Sequence, residues 1–244
     1  MKRFLCVVAA SPALLAAKKS AHAVAATSNL PSQANLSSSM QILLLMTVLT
    51  LLPAVIVCLT PFLRLSIVLH FLRQALGTQT VPSNQVLVGL SLFLSLIIMQ
   101  PVLSNIYTTA WQPLEEGKIG YQQAMDNGSA PLRQFLLHFT REKDIQLFLE
   151  ISKAPAPATP NDLSLAILAP AYILSEIKVA FQIGAVLFLP FLVIDIVVAS
   201  VSLSIGMVQL PPVMISAPFK ILLFVVVDGW TLLVGSLMKG LVQT

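Results

Sequence analysis

The chain has 244 residues, 57% of them hydrophobic and 10% charged, with a mean hydropathy of +0.88. A soluble domain of this size needs far less apolar surface, so composition alone points to a membrane protein with several spans. The excess of 14 Lys and Arg over 10 Asp and Glu does not point to nucleic acid: Lys2, Arg3, Lys18 and Lys19 lie at the very start, and without them the chain is neutral, with no basic stripe to follow phosphates.

Residues 1–23 combine a positive start, an apolar stretch and Ala21-His22-Ala23 before a small-residue boundary. They read as a secretory signal peptide cleaved after Ala23. Lys18 and Lys19 between the apolar stretch and that boundary leave open an uncleaved first membrane helix, and Ala25 is a near alternative for the cut. Residues 24–40, rich in Ser, Ala and Asn, read as a flexible exported tail. Cys6 lies in the leader and Cys58 in an apolar segment, so no internal disulfide is expected in the processed chain. His22, His70 and His138 are scattered, and no metal site is visible.

Residues 41–106 read as a first hydrophobic helical hairpin. Its first limb, 41–63, contains Pro53 and Pro61, which remove backbone donors and kink a helix. In the connection, Leu65, Val68, Leu69 and Leu72 fall near one helical face, and Gly77 ends that helix. Arg64 and Arg73 give the connection two positive charges and no negative one, which predicts a cytoplasmic position. The second limb is 86–103, with Gln100-Pro101 near its end.

Residues 107–160 carry most of the remaining charge and read as an extracytoplasmic helical region. Tyr107, Trp111 and Tyr121 suit a membrane interface. Leu132, Phe135, Leu136 and Phe139 predict an amphipathic helix that runs from Leu132 to Ile151, with Phe148 and Leu149 resuming the pattern. Ala154 to Pro160 is a proline-rich spacer. Residues 161–244 then read as a second helical hairpin. Thr159 is placed to cap its first helix, with Pro160 at the first turn. The span 183–205 follows, then the uncharged link 206–212, then an apolar run from Pro211 to Gly235. The fold class is thus an all-α membrane protein: about four long hydrophobic helices in two kinked hairpins, plus the amphipathic region.

Glu176, Lys178, Asp195, Lys220 and Asp228 lie in or beside apolar segments. A charge at bilayer depth costs about 2.5–3.5 kcal/mol on insertion scales, so each needs protein or water around it. Glu176 and Lys178, two apart on a helix, point in different directions and cannot pair with each other. Lys220 and Asp228, eight apart, lie about 12 Å along a helix on similar faces, too far to pair directly. Each therefore needs a partner on another helix or chain. Paired charges that fix helix register are one reading; a pore, relay or ion path is the other. The residues show no nucleophile–base set, phosphate loop or catalytic carboxylate pair in a protease context, and no cofactor is expected.

The segment Pro170-Ala171-Tyr172-Ile173-Leu174-Ser175-Glu176-Ile177-Lys178-Val179-Ala180-Phe181-Gln182-Ile183-Gly184 resembles the P-A-[FY]-x-x-[ST]-E signature of the FliP proteins, the P component of the flagellar type III export gate. Ala217 to Trp230, with Pro218-Phe219-Lys220 and Asp228-Gly229-Trp230, is similar to the family's second signature. The similarity runs from about residue 41 to 238.

The resemblance implies a non-enzymatic subunit that assembles as a pentamer-like homo-oligomeric ring with the Q and R components. It also implies proximity to the B and A components of the export apparatus, in the bacterial inner membrane at the flagellar basal body. Unfolded flagellar subunits would pass through the ring's pore. A methionine-rich loop closes the pore in the family; its counterpart here is Met207, Val208, Gln209 and Leu210, within Gly206 to Pro212. On the same resemblance, Glu176, Lys178, Lys220 and Asp228 would bridge helices or subunits. A virulence injectisome gate is the near alternative, which the leader argues against. An ion- or proton-coupled transporter is the alternative from another class, and the absence of an evident inverted repeat counts against it.

Overall fold

The computed structural model describes residues 38–78, 80–153, 159, 162–207 and 211–242. The leader with its Ala23 cleavage position, the tail up to residue 37, most of the proline-rich spacer with Pro160, and Val208, Gln209 and Leu210 lie outside the described residues. Among the described residues the chain is helical and contains no strand. The helices are α1 (Ser38–Cys58), α2 (Phe62–Ala75), α3 (Asn84–Ile106), the single-turn α4 (Gln112–Glu115), α5 (Tyr121–Phe139), α6 (Glu142–Ser152), α7 (Leu165–Ser204), α8 (Pro212–Val226) and α9 (Gly229–Val242). A π-helical turn, Tyr107–Trp111, joins α3 to α4.

The structure divides into two units, one ending at Leu51 and one spanning Leu52–Thr244. Of the first, the described part is the opening of α1, an apolar helix whose side chains from Met40 to Leu51 are exposed. It begins at Ser38, inside the stretch expected to be tail.

In the second unit α2 is the centre. Arg64, Leu65, Val68, Leu69, Leu72 and Ala75 are buried, which is the face its 3/4 spacing predicted. Gly77, at φ +73°, ends it as read from the sequence. Around α2 pack Leu94 and Ile98 of α3, Ala180 of α7, and Leu237 and Leu241 of α9. A second cluster joins Leu72, Ala75 and Leu76 to Phe191 of α7 and Phe224 of α8. The contacts advance together along α2 and α7, so these two helices run parallel: Arg64 meets Glu176, Phe71 meets Phe181 and Phe188, and Ala75 shares a cluster with Phe191.

α7 is the dominant element. The sequence suggested a short helix followed by a span at 183–205, but residues 165–204 form one helix of 40 residues, continuous through Pro170 and Pro190. At 1.5 Å per residue it is about 60 Å long, roughly twice a bilayer's hydrocarbon thickness. Its start is capped by Ser164, whose Oγ accepts the Ala166 N–H at 3.3 Å. Thr159, expected as the cap, instead donates its hydroxyl to Asp162 at 2.7 Å. Serine wins because it immediately precedes the first helical turn, where the free amides are.

Two other expectations are corrected. The amphipathic stretch from Leu132 to Ile151 is two helices, broken at Thr140 and Arg141, whose backbones are extended. The break lets Leu136 and Leu149 both face Leu168 and Tyr172. The apolar run from Pro211 to Gly235 is also two helices, bent by 64°. By length and composition, α1, the α3–α4 stretch and α7 are each long enough to cross a membrane, and α8 with α9 makes a fourth span if the bent pair counts as one.

Candidate functional site: ion pairs on the long helix

Three ion pairs radiate from α7, each to a different helix. Glu176 takes a two-pronged pair from Arg64 of α2, with Arg64 Nε donating to Oε2 at 2.8 Å and Nη2 to Oε1. Both residues are buried. The guanidinium also lies 5.4 Å from the centre of the Phe139 ring, a cation–π position. Arg64 was read as a charge of a cytoplasmic connection, yet it is enclosed in protein. Its position at the start of an apolar, periodic segment was the available signal.

Lys178 pairs with Asp144 of α6. Asp144 is 1% exposed and also accepts the Ser175 hydroxyl at 2.7 Å. Ser175 in turn accepts the Arg141 backbone N–H at 3.1 Å, and the Arg141 side chain donates to Gln182 at 2.6 Å. Burial pushes the Asp144 carboxyl up. The hydrogen bonds from Lys178 and Ser175, with the charges of Lys178 and Arg141, outweigh it and hold the group below the usual carboxylate range. Nothing in the sequence singled out Asp144, which sits among four charged or polar neighbours in the segment from Thr140.

The third pair joins Asp195 to α8. Lys220 Nζ donates to Asp195 Oδ2 at 2.6 Å and Ser216 Oγ to Oδ1 at 2.5 Å. Lys220 is 3% exposed, so its charge is met inside the α7–α8 hairpin. Ser216, Lys220 and Phe224 recur every four residues and form the buried face of α8.

The two signature-like segments now have physical accounts. In the first, Ala180 and Gly184 keep α7 narrow where α2 packs against it. A Cβ at Gly184 would overlap the Phe71 ring, which stacks edge-on against Phe181 and Phe188 with centroids 5.1 and 6.0 Å away. In the second, Asp228-Gly229-Trp230 makes the bend between α8 and α9. Asp228 takes the left-handed conformation at φ +51°, which Asp tolerates better than most residues. Gly229 leaves room for the Phe224 ring, and Trp230 packs edge-on against that ring with centroids 5.4 Å apart.

Glu176 and Lys178 thus do not meet each other, as their spacing predicted, and each has a partner across an interhelix contact. Lys220 and Asp228 do not share a helix, because the bend separates them. Asp228 is exposed, and its carboxylate has no side-chain partner among the described residues. Met207 is exposed beyond the end of α7; the rest of the expected seal loop lies outside the described residues.

The model of the FliP family matches residues 45–237. The chain is 49% identical over 206 residues to the flagellar biosynthetic protein FliP of Bacillus subtilis, covering 84% of this chain and 93% of the relative. It is 49% identical over 202 residues to the protein of the same name from Pectobacterium carotovorum, covering 83% of this chain and 78% of that one. To that of Borreliella burgdorferi it is 47% identical over 205 residues, covering 83% and 81%.

Proposed function

The chain belongs to the FliP family, and from that membership we propose that it is a structural subunit of the flagellar protein export apparatus, seated in a bacterial inner membrane at the flagellar basal body. The observation that carries this reading is the match across residues 45–237, which takes in both signature segments and nearly every helix of the second unit. The apolar helices are long enough for a multi-pass position. The reading is of a scaffold, not an enzyme.

In its finer form, copies of the chain assemble in a pentamer-like ring with the Q and R components, beside the B and A components, and unfolded flagellar subunits pass through the pore. Met207, Val208, Gln209 and Leu210 form the seal of that pore; methionine suits this role because it is flexible and fills irregular gaps, and Met207 is the one methionine of the four. Residues 1–23 are a leader removed after Ala23, the stretch from 24 up to the start of α1 at Ser38 an exported tail, the residues from there to 106 the first hairpin, 107–160 the extracytoplasmic region and 161–244 the second hairpin. Glu176, Lys178 and Lys220 hold helices in register. Because each spends its charge on a partner within the chain, they are poor steps for an ion relay, which favours the scaffold over an ion-coupled transporter.

The test is a strain deleted for this chain, with flagellin and hook protein scored in the culture supernatant. Loss of both while their synthesis continues, with recovery from a plasmid copy, supports the reading. Unchanged flagellin export overturns it, and loss of injected effectors instead would move the chain to an injectisome gate.

A further inference from the structure

Two adjoining grooves follow α3, one apolar and one polar. The first, of about 470 Å³, lies between α3, α5 and the end of α9, with Ile97, Ile98, Val102, Phe135, Phe139 and Leu241 among its walls. The second, of about 650 Å³, is lined by Asn105, Thr109, Asn127, Arg133 and Gln134. Asn105, Pro131 and Gln134 belong to both, so the apolar groove opens into the polar one.

Their order along α3 matches depth in a bilayer. The α3–α4 stretch is long and apolar enough to cross a membrane, and Ile97 lies near the middle of α3. From Ile97 to Asn105 the helix rises about 12 Å, close to the roughly 15 Å of hydrocarbon in one leaflet. The polar groove starts at Asn105 and reaches Thr109, inside the π-helical turn Tyr107–Trp111. Tyr107 and Trp111 are exposed, as aromatic side chains at headgroup level are. The apolar groove thus sits at acyl-chain depth and the polar one at headgroup depth.

Charge narrows the occupant. Of the residues lining the two grooves, only Arg133 and His138 are titratable, and none is acidic. His138 lies on the apolar groove, so Arg133 is the single charge of the polar one. Its forked guanidinium matches phosphate oxygens. Asn105, Asn127 and Gln134 add neutral amide donors, and Asn127 is held at the wall by its hydrogen bond to the Thr109 carbonyl at 3.2 Å. A headgroup amine would bring an ammonium that no lining carboxylate meets.

We propose that the two grooves hold one anionic phospholipid, with its phosphate on Arg133 and the amides and one acyl chain along Ile97, Val102 and Leu241. Basic pockets between membrane helices are suited to such headgroups. The site rests only on the membrane position of the chain and goes beyond the export reading. The rival occupant is a second copy of the chain, bringing a carboxylate to Arg133.

The test reconstitutes the full chain in phosphatidylcholine vesicles that contain a minor fraction of phosphatidylglycerol with a photoactivatable group midway along one acyl chain. Mass spectrometry maps the adducts. They are expected to concentrate on residues 97–102 and Leu241 rather than on α1, whose exposed apolar side chains report bulk lipid. Unlabelled phosphatidylglycerol is expected to compete; phosphatidylethanolamine and soluble glycerol phosphate are not. Arg133→Gln is expected to weaken that competition about tenfold, the worth of one charge-assisted hydrogen bond, and Arg133→Lys to weaken it less. Adducts spread alike over α1 and the groove would show bulk lipid only and overturn the proposal. So would equal labelling by a phosphatidylcholine probe, equal competition by glycerol phosphate, or labelling that Arg133→Gln leaves unchanged. A groove closed to the probe would assign it to a second copy and overturn the proposal as well. If Arg133→Gln fails to accumulate, the comparison of headgroups on the unsubstituted chain still decides. None of these outcomes bears on export, which the deletion strain decides.

Discussion

Arg64 and Glu176, 112 residues apart in sequence, close a two-pronged ion pair between two parallel helices. The glutamate side chain is fully buried and the arginine nearly so. Such a pair adds little net stability over an apolar replacement, because desolvation offsets the attraction, but removing one member leaves a buried charge without an answer. It therefore acts more as a register mark than as glue.

Glu176→Gln and Arg64→Met are each expected to destabilise the folded chain by about 3–5 kcal/mol. The double replacement Arg64→Met with Glu176→Met is expected to recover much of the loss. Thermal unfolding of the detergent-solubilised chain, with its level in membranes, checks this. A loss in the double variant equal to the sum of the two single losses would show that the pair is not coupled.

Gly184→Ala is expected to cost about 1–3 kcal/mol, since overpacking at a rigid contact forces neighbours to shift. The contact is the Phe71 ring. Phe71→Leu in the same chain is expected to relieve part of the cost, despite the edge-on contacts it gives up. A Gly184→Ala chain as stable as the parent would show that α2 and α7 separate easily there.

Lys220→Met is expected to disrupt assembly of the chain into its complex in detergent, because Asp195 and Ser216 then face an apolar side chain. The exchange Asp195→Lys with Lys220→Asp is expected to restore part of the assembly. An intact complex from Lys220→Met alone would show that the pair does not set the hairpin's register.

Asp144 makes the packing of α6 on α7 sensitive to acid. Its folded pKa lies below the ordinary carboxylate value of about 3.9, so the unfolded chain binds the proton first as pH falls. The stabilisation is complete above that ordinary value and is lost as pH drops through the folded pKa. Lys178 is 45% exposed, which keeps the effect modest through solvent screening. Asp144→Asn is expected to remove this part of the acid sensitivity, read as flatter unfolding curves from pH 5 to 3.

The long helix shows how far periodicity carries. Leu65, Val68, Leu69 and Leu72 already formed one face by spacing, whereas residues 170–184 stood out by their resemblance to a family signature. Two helix ends went otherwise. At Thr140 the apolar pattern stops for the polar run from Thr140 to Asp144 and resumes beyond it, because the two helices lean on the same cluster of Leu168 and Tyr172. At Asp228 hydrophobicity continues across the bend, because both arms are apolar. A polar run on a helix surface and a polar run at a helix break look alike in composition, and at Asp228 the composition on the two sides is the same, so neither break is marked by hydropathy.

By itself the sequence determined the membrane class, the helical fold, the apolar face of α2, and the need of each intramembrane charge for a partner elsewhere, since these follow from composition, helical period and the cost of burying charge. Which charge meets which was decided only by the tertiary structure. Arg64 with Glu176, Asp144 with Lys178 and Asp195 with Lys220 are set by the parallel docking of α2 on α7, the Thr140 break and the packing of α8 on α7. None of these is local: a side chain's own neighbours in sequence fix where it points on its helix, while packing fixes which helix stands opposite.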